Sequence, residues 1–358
     1  MTPEDYHFVD RLRHVSDHDV DHLRANFLEP AEAFDAAEMG DTLLFPLEMT
    51  WFYGEPVYDA LSPEKKLMLN RLTFCQSYLS TAVAEAATNI LNYEAALQQF
   101  IEADPEVGLY MAREVVEETM HLHSFFVVIH KVLAHYGLTL EQLRAANVSL
   151  RMARSYVRAQ SLVGALSGSF HFYYFTRYAL NINQKTVERC TINEPNMNPH
   201  VRAILKNHAI DEARHMQMSR ETGKLAVAHM PRWVRPVACA LYAQFAANVY
   251  IGRHEKDSAL PRRTRIGTLA LCGVPVAEAE KAYREWRDRR NQPDDPPLVA
   301  AGRLYYLKQN LRFVDELPVG PRVRAYMRRT ISHAYRDATK LADRGLRPLQ
   351  FEDLSRGA

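Results

Sequence analysis

The stretch that decides the fold is Asn207-His208-Ala209-Ile210-Asp211-Glu212-Ala213-Arg214-His215. On an α-helix, residues three, four and seven positions apart return to one face, so His208, Glu212 and His215 share a face. One carboxylate and two imidazoles converging from a single helix form a ligand set suited to Fe, Mn or Zn. The competing interpretation is a solvated helix that carries these histidines incidentally.

A second Glu-x-x-His turn lies well upstream, in Glu117-Glu118-Thr119-Met120-His121. Two such turns on separate helices are the signature of ferritin-like bundles that hold two metal ions. In these bundles two further helices each add one carboxylate, and Glu85 is the natural candidate in the first half. It lies mid-helix among alanines and a valine, where a charge is unexpected unless it is paired with arginine or bound to metal.

Two further acids directly precede the predicted ligand glutamates. Glu117 stands before Glu118, and Asp211 stands before Glu212. We expect each acid to accept the free ring N–H of a ligand histidine on the opposite helix, which would fix the tautomer and the orientation of that ring. The alternative for both is a plain surface acid.

Long segments without helix breakers dominate the chain and predict an all-α fold. We expect a ferritin-like four-helix bundle core with additional helices at both ends. The expected organisation is an N-terminal lead-in at 1–60 that packs on the core, a diiron bundle at 61–253 and a C-terminal helical extension at 254–358. Within the bundle, one long helix is expected from 149 to about 180, followed by a polar insert at 181–198.

Composition and charge limit the classes of partner and compartment. Lys+Arg 44 against Asp+Glu 43 gives a net charge of +1, which offers no argument for a nucleic-acid partner. No apolar run is long enough to span a bilayer, and the polar, acidic residues 1–5 lack the pattern of a secretion signal. Four scattered cysteines without a Cys-x-x-Cys pair are typical of reduced thiols, so we expect a cytoplasmic protein without a membrane partner.

From about Leu44 to Val227 the chain resembles the diiron N-oxygenases of the p-aminobenzoate N-oxygenase (AurF) type. The resemblance is carried by the Pro46-Leu47-Glu48 turn, the Glu85 helix, Glu118-x-x-His121 and His208-x3-Glu212-x-x-His215. The histidine one turn before the second Glu-x-x-His is its most specific element. The resemblance implies that six of the family's seven metal ligands are Glu85, Glu118, His121, His208, Glu212 and His215.

The seventh ligand is missing from the place where the family carries it. The family has a glutamate near residues 164–172, where the aligned residue here is Gly168, and no Asp or Glu occurs at 143–186. His171 lies one turn further along the same face, and we predict that it ligates one metal in place of the glutamate. The alternative is that His171 packs among aromatic side chains while water or Glu194 takes the metal position.

The resemblance implies a non-haem diiron monooxygenase that binds two Fe, takes O2 as co-substrate and receives electrons from an external reductase. The expected reaction is N-oxygenation of a small amine or amino-acid-derived substrate in specialised biosynthesis. No catalytic residue is expected beyond the metal ligands, the substrate-binding residues are not identified, and a homodimer is the assembly considered. Two rivals are a C–H hydroxylase or desaturase on the same scaffold and a non-catalytic or iron-storing metal-binding relative.

Overall fold

The computed structural model describes residues 20–102, 105–147, 149–167, 171–249, 259–288 and 297–334. The α-helices are α1 (Val20–Leu23), α2 (Glu29–Ala33), α3 (Pro56–Asp59), α4 (Pro63–Glu102), α5 (Pro105–His135), α6 (Leu140–Ala146), α7 (Ser149–Ser167), α8 (His171–Ile192), α9 (Pro199–His229), α10 (Arg235–Val249), α11 (Ala259–Leu271), α12 (Val276–Asp288), α13 (Pro297–Glu316) and α14 (Pro321–Ala334). Over these ranges the only β-type pairing is one isolated bridge between Leu43 and Met197. The prediction of an all-α fold is confirmed.

Two pairs of long helices form the centre of the molecule, α4 with α5 and α8 with α9. The chain marks the starts of these helices locally. The Ser62 hydroxyl accepts a hydrogen bond from the Lys65 amide at 3.4 Å, and Pro63 is the first residue of α4. At α9 the Asn198 side chain accepts from the amides of His200 and Val201 at 3.1 and 3.3 Å. Among the helices of the described ranges, none is long and apolar enough to cross a membrane.

The predicted polar insert at 181–198 is largely wrong, because α8 continues to Ile192. Its polar residues face other helices instead of solvent. Asn181 donates to the Ser219 hydroxyl on α9 at 3.2 Å, and Gln184 accepts from the Thr81 hydroxyl on α4 at 3.0 Å. The long helix predicted from 149 to 180 is two helices, α7 and α8, with residues 168–170 between them outside the described ranges.

Two hydrophobic clusters lie on either side of a polar layer inside the bundle. Along α5, the first cluster holds Phe125 to Leu133 and the second holds Met111. Along α9, the first holds Val201 to Leu205 and the second holds Met218 to Val227. The acids and histidines of both Glu-x-x-His turns fall between them. Helices α11 and α12 join the first cluster, while α13 and α14 join the second.

Candidate metal centre

The structure brings all six side chains that the resemblance implies as ligands into the polar layer. Three are histidines with no exposed surface, and three are glutamates that are 4–7% exposed: His121, His208, His215, Glu85, Glu118 and Glu212. Burying so many ionisable groups is costly unless they are paired or bind a cation. Potential ligand atoms of four of them lie within 4.8 Å of one another, namely those of Glu85, Glu118, His121 and His208.

Glu118 lies between the histidines of the two motifs. Its Oε2 atom is 3.3 Å from Nδ1 of His121, and its Oε1 atom is 3.1 Å from Nδ1 of His215. The same His215 nitrogen is 3.2 Å from Oε1 of Glu212. A carboxylate whose two oxygens face two different imidazoles has the arrangement needed to bridge two ions.

His208 lies on the His121 side of this carboxylate. Its Nε2 atom is 3.1 Å from Oε1 of Glu85 and 3.8 Å from Oε1 of Glu212. Its Nδ1 atom contacts Oε1 of Glu188, a residue of α8 that sequence reasoning did not identify. The extra histidine therefore connects the lone carboxylate of the first helix pair with a carboxylate of the second.

Glu188 is fully buried, and its Oε1 atom also accepts a hydrogen bond from Gln184 at 2.8 Å. Across the described part of the chain no donor reaches its Oε2 atom. Sequence reasoning did not identify Glu188, because the resemblance implies a ligand near residues 164–172 and the segment 181–198 was predicted to be a polar insert. The signal that could have found it is the helical spacing of Gln184 and Glu188, which puts a polar pair on one face of a continuing helix.

His171 is the first residue of α8, and its side chain lies outside the described part of the structure, as does Gly168. The prediction that His171 binds metal is therefore not tested directly. The length of α8 is nevertheless relevant to this prediction. Because helical rise separates residues 171 and 188 by about 25 Å along the axis, the two residues cannot both lie beside His208. Glu194 was the alternative to His171 as a metal ligand. It lies in the loop that precedes α9, where its Oε2 atom accepts a hydrogen bond from the Leu47 amide at 3.1 Å.

The outer ring nitrogens of the two motif histidines meet the acids that precede the motif glutamates. Nε2 of His215 lies 2.9 Å from Oε2 of Glu117, and Nε2 of His121 lies 3.0 Å from Oδ2 of Asp211. Arg214 joins the two acids, since its Nη2 atom donates to Glu117 at 2.8 Å and to Asp211 at 2.9 Å. An N–H held at Nε2 leaves Nδ1 of each ring facing the inner carboxylates, which is the tautomer that a metal requires.

The ionisable groups of the polar layer shift one another's pKa values. Burial raises the pKa of Glu85 to about 7, although a hydrogen bond from His208 opposes the shift. Burial also disfavours a charged His121, but the Asp211 and Glu118 carboxylates outweigh it and raise the pKa of His121 to about 9. The pKa values of His208 and His215 are likewise raised, against burial, by neighbouring carboxylates. The clustered acids thus favour positive charge at the positions that the imidazoles surround.

The donor set matches the chemistry of first-row metal ions. Carboxylates and imidazoles with open positions are the ligands of non-haem iron. Each helix pair contributes one lone carboxylate, Glu85 or Glu188, and one Glu-x-x-His turn, which is the pattern of dimetal carboxylate bundles. Oε2 of Glu85, like Oε2 of Glu188, is a buried acceptor that no described group satisfies. The residues present therefore fit a pair of metal ions.

Comparison with known proteins agrees with this geometry. The family model described as P-aminobenzoate N-oxygenase AurF matches residues 29–254, which is more than half of the chain and includes both helix pairs. No curated protein and no solved structure matches the chain. The family points to an oxygenase, and its match spans every acid and histidine of the buried layer. The chain therefore belongs to the AurF family of p-aminobenzoate N-oxygenases.

Proposed function

We propose that this protein is a non-haem diiron monooxygenase that uses O2 to oxidise the nitrogen of a small amine or amino-acid-derived substrate. The observation that carries the proposal is the position of Glu118, whose two oxygens face His121 and His215 from the centre of a buried acid and histidine cluster. Family membership supports oxygenase chemistry. Two irons held there would supply the reduction of O2, with electrons from an external reductase.

The proposed ligands are the six residues implied by the resemblance, with Glu188 as the seventh in place of His171. Glu188 is supported by its contact with His208, its complete burial and its unused Oε2 atom. Glu117 and Asp211 orient the imidazoles by accepting their Nε2–H groups. Such outer partners set the tautomer and the basicity of the ligand ring.

Aromatic side chains pack against the histidines of the cluster. The Phe27 ring centroid lies 4.6 Å from that of His121, and the Phe125 centroid lies 5.1 Å from that of His208. Both phenylalanines are about 1% exposed. Apolar side chains that exclude water strengthen the electrostatic interactions inside a site and limit side reactions of reactive oxygen species. The cytoplasmic location, the reductase and the homodimer stay predictions from the sequence.

The proposal is tested by metal content and product chemistry. Protein reconstituted anaerobically with Fe(II) is expected to hold about two Fe per chain, as a two-metal site requires, and to develop an O2-dependent visible absorbance. With an arylamine or amino-acid substrate panel, mass spectrometry is expected to find an N–O product. One tightly bound ion with no response to O2 would contradict the dimetal site, whereas a C–O or desaturated product would favour the hydroxylase or desaturase.

The choice between Glu188 and His171 is tested by a matched pair of variants. Glu188→Gln preserves shape but removes an anionic ligand, so we expect iron content to fall towards one per chain. His171→Phe is expected to leave iron content unchanged, because its backbone lies about 25 Å along α8 from Glu188. The reverse pattern, with iron lost only from the His171 variant, would identify His171 as the ligand and exclude Glu188.

A further inference from the structure

One buried acid of the polar layer lies outside both the predicted set and the proposed seven ligands. Glu114 precedes Glu118 by one turn on α5, so the two share a face. It is 1% exposed. A carboxylate oxygen of Glu114, one of Glu118 and a ring nitrogen of His215 all lie within 4.8 Å of one another.

Of the two carboxylate oxygens of Glu114, only Oε1 has partners among the described residues. Oε1 contacts Nη2 of Arg177 on α8 and accepts a hydrogen bond from Asn92 at 3.3 Å. No donor among the described residues reaches Oε2. Within the same ranges, Nε and Nη1 of Arg177 also lack acceptors. A buried pair kept only for structure is expected to satisfy both groups through a two-pronged contact, because each unmet hydrogen bond of a buried charge is costly.

The two halves of the site differ in their supply of ligands. On the His208 side lie Glu85, His121 and Glu188, and they share Glu118 with the other side. On the other side, Glu212 and Glu118 are the only acids of the described residues that approach the Nδ1 atom of His215 within 3.2 Å. An ion at His215 would thus have three ligands, fewer than an ion beside His208. Glu114 is the acid placed to add a fourth.

We propose that Glu114 is an additional carboxylate ligand, binding through Oε2 the ion that His215, Glu118 and Glu212 hold, while Arg177 retains Oε1. The proposal rests on the dimetal site of the proposed function. The charges are consistent with this role. With Glu114 included, five glutamates face two divalent ions, and the guanidinium of Arg177, which contacts Glu114, compensates the one remaining negative charge.

The double variant Glu114→Gln/Arg177→Met tests this role. It removes both charges of the pair together, which avoids leaving one buried charge unpaired. Calorimetric titration with Mn²⁺ is expected to show two ions per chain in the natural protein. In the double variant the first ion should bind unchanged and the second at least tenfold more weakly, since even partners of ligands affect metal affinity by 10–100-fold. Glu221→Gln, a partly exposed acid paired with Lys224, is the control that should bind both ions normally.

The outcomes separate the two proposals. Binding of both Mn²⁺ ions to the double variant with natural affinity would overturn the role of Glu114 and leave the dimetal site intact. Fewer than two ions in the natural protein would overturn both.

A single Arg177→Met variant gives a second readout that does not require the double variant to fold. Without Arg177, the buried Glu114 lacks its counter-charge in chelator-treated protein, so Tm is expected to fall. If Glu114 binds the ion, Mn²⁺ replaces that counter-charge, and the rise in Tm on adding Mn²⁺ should exceed the rise in the natural protein. Equal rises in the two proteins would contradict ligation by Glu114.

Discussion

At the scale of single residues, the two Glu-x-x-His turns support each other across the bundle. The acid before each motif glutamate accepts a hydrogen bond from the Nε2–H group of the histidine in the other motif. Arg214 holds both acids and is itself only 4% exposed. Each imidazole is thus oriented by the opposite helix. Assembly of the site therefore depends on the packing of α5 against α9, not on either helix alone.

The pKa values of this layer predict how stability changes with pH in protein stripped of metal. The pKa of His121 is raised to about 9 and that of Glu85 to about 7. A raised pKa stabilises the fold below the unfolded-state value, and this stabilisation is lost as pH rises through the folded-state value. We therefore expect Tm of the metal-free protein to fall as pH increases from about 6 to about 9.

Thermal unfolding at several pH values, with and without Mn²⁺, checks this expectation. The decline should be smaller in the metal-loaded protein, because the ion takes the place of the protons on the ligand groups. The opposite sign applies to Asp211, whose pKa falls to about 2 because hydrogen bonding to His121 outweighs burial. Its contribution should disappear only in acid. Parallel curves for the two forms above pH 6 would count against these groups as metal ligands.

At the scale of helices, close approach between α6 and α11 gives a sharp test. A Cβ atom added at Gly267 on α11 would lie 2.5 Å from Cβ of Ala146 and 3.4 Å from its Cα. Alanine gains about 0.5–1 kcal/mol over glycine within a helix. Overpacking costs about 1–3 kcal/mol, and Ala146 has no flexible side chain that could move aside.

We therefore expect Gly267→Ala to destabilise the protein by about 1 kcal/mol in spite of its helix propensity. Urea unfolding measures the change. Gly320→Ala is the control for steric crowding, because apart from its chain neighbours no atom of the described residues lies within 4 Å of its added Cβ. Any cost there should come only from the position of Gly320 at the start of α14, where glycine is favoured over alanine. A gain in stability at Gly267 would show that the two helices separate easily.

At the scale of the whole molecule, the helices beyond the family match are part of the same packed structure. Phe313 on α13 is fully buried, and its ring centroid lies 4.3 Å from that of Tyr178 on α8 and 5.6 Å from that of Tyr242 on α10. The Tyr242 hydroxyl donates to Asn310 at 2.9 Å. The helix that carries Glu188 is thus supported by residues outside the segment 29–254 that the family model matches.

Phe313→Ala is expected to destabilise the entire chain by about 3–5 kcal/mol, the usual cost of deleting a buried ring. Calorimetry should show one unfolding transition that shifts as a whole and responds to Mn²⁺. Tyr326→Ala on α14, where the side chain is 37% exposed, should cost clearly less. Two transitions, of which only one responds to the metal, would mean that the C-terminal helices unfold independently.

Much of this protein follows from local sequence pattern. Helical periodicity alone puts His208, Glu212 and His215 on one face, because the repeat of an α-helix does not depend on its neighbours. The second Glu-x-x-His turn and the long segments without breakers predict an all-α bundle for the same reason. Neither feature depends on which helix lies beside which.

The rest was decided by tertiary structure. The sequence predicted a polar insert over the segment that contains Asn181, Gln184 and Glu188. Apolar periodicity could not correct this, because it predicts only the burial of apolar side chains. Polar groups become buried when partners from other helices satisfy them, and the partners Ser219, Thr81 and His208 lie elsewhere in the sequence. The same holds for Arg177 and Glu114, which meet across α8 and α5. The backbone sets the spacing of side chains within one helix. Packing along the whole length of two helices sets which residues of one lie opposite which residues of the other.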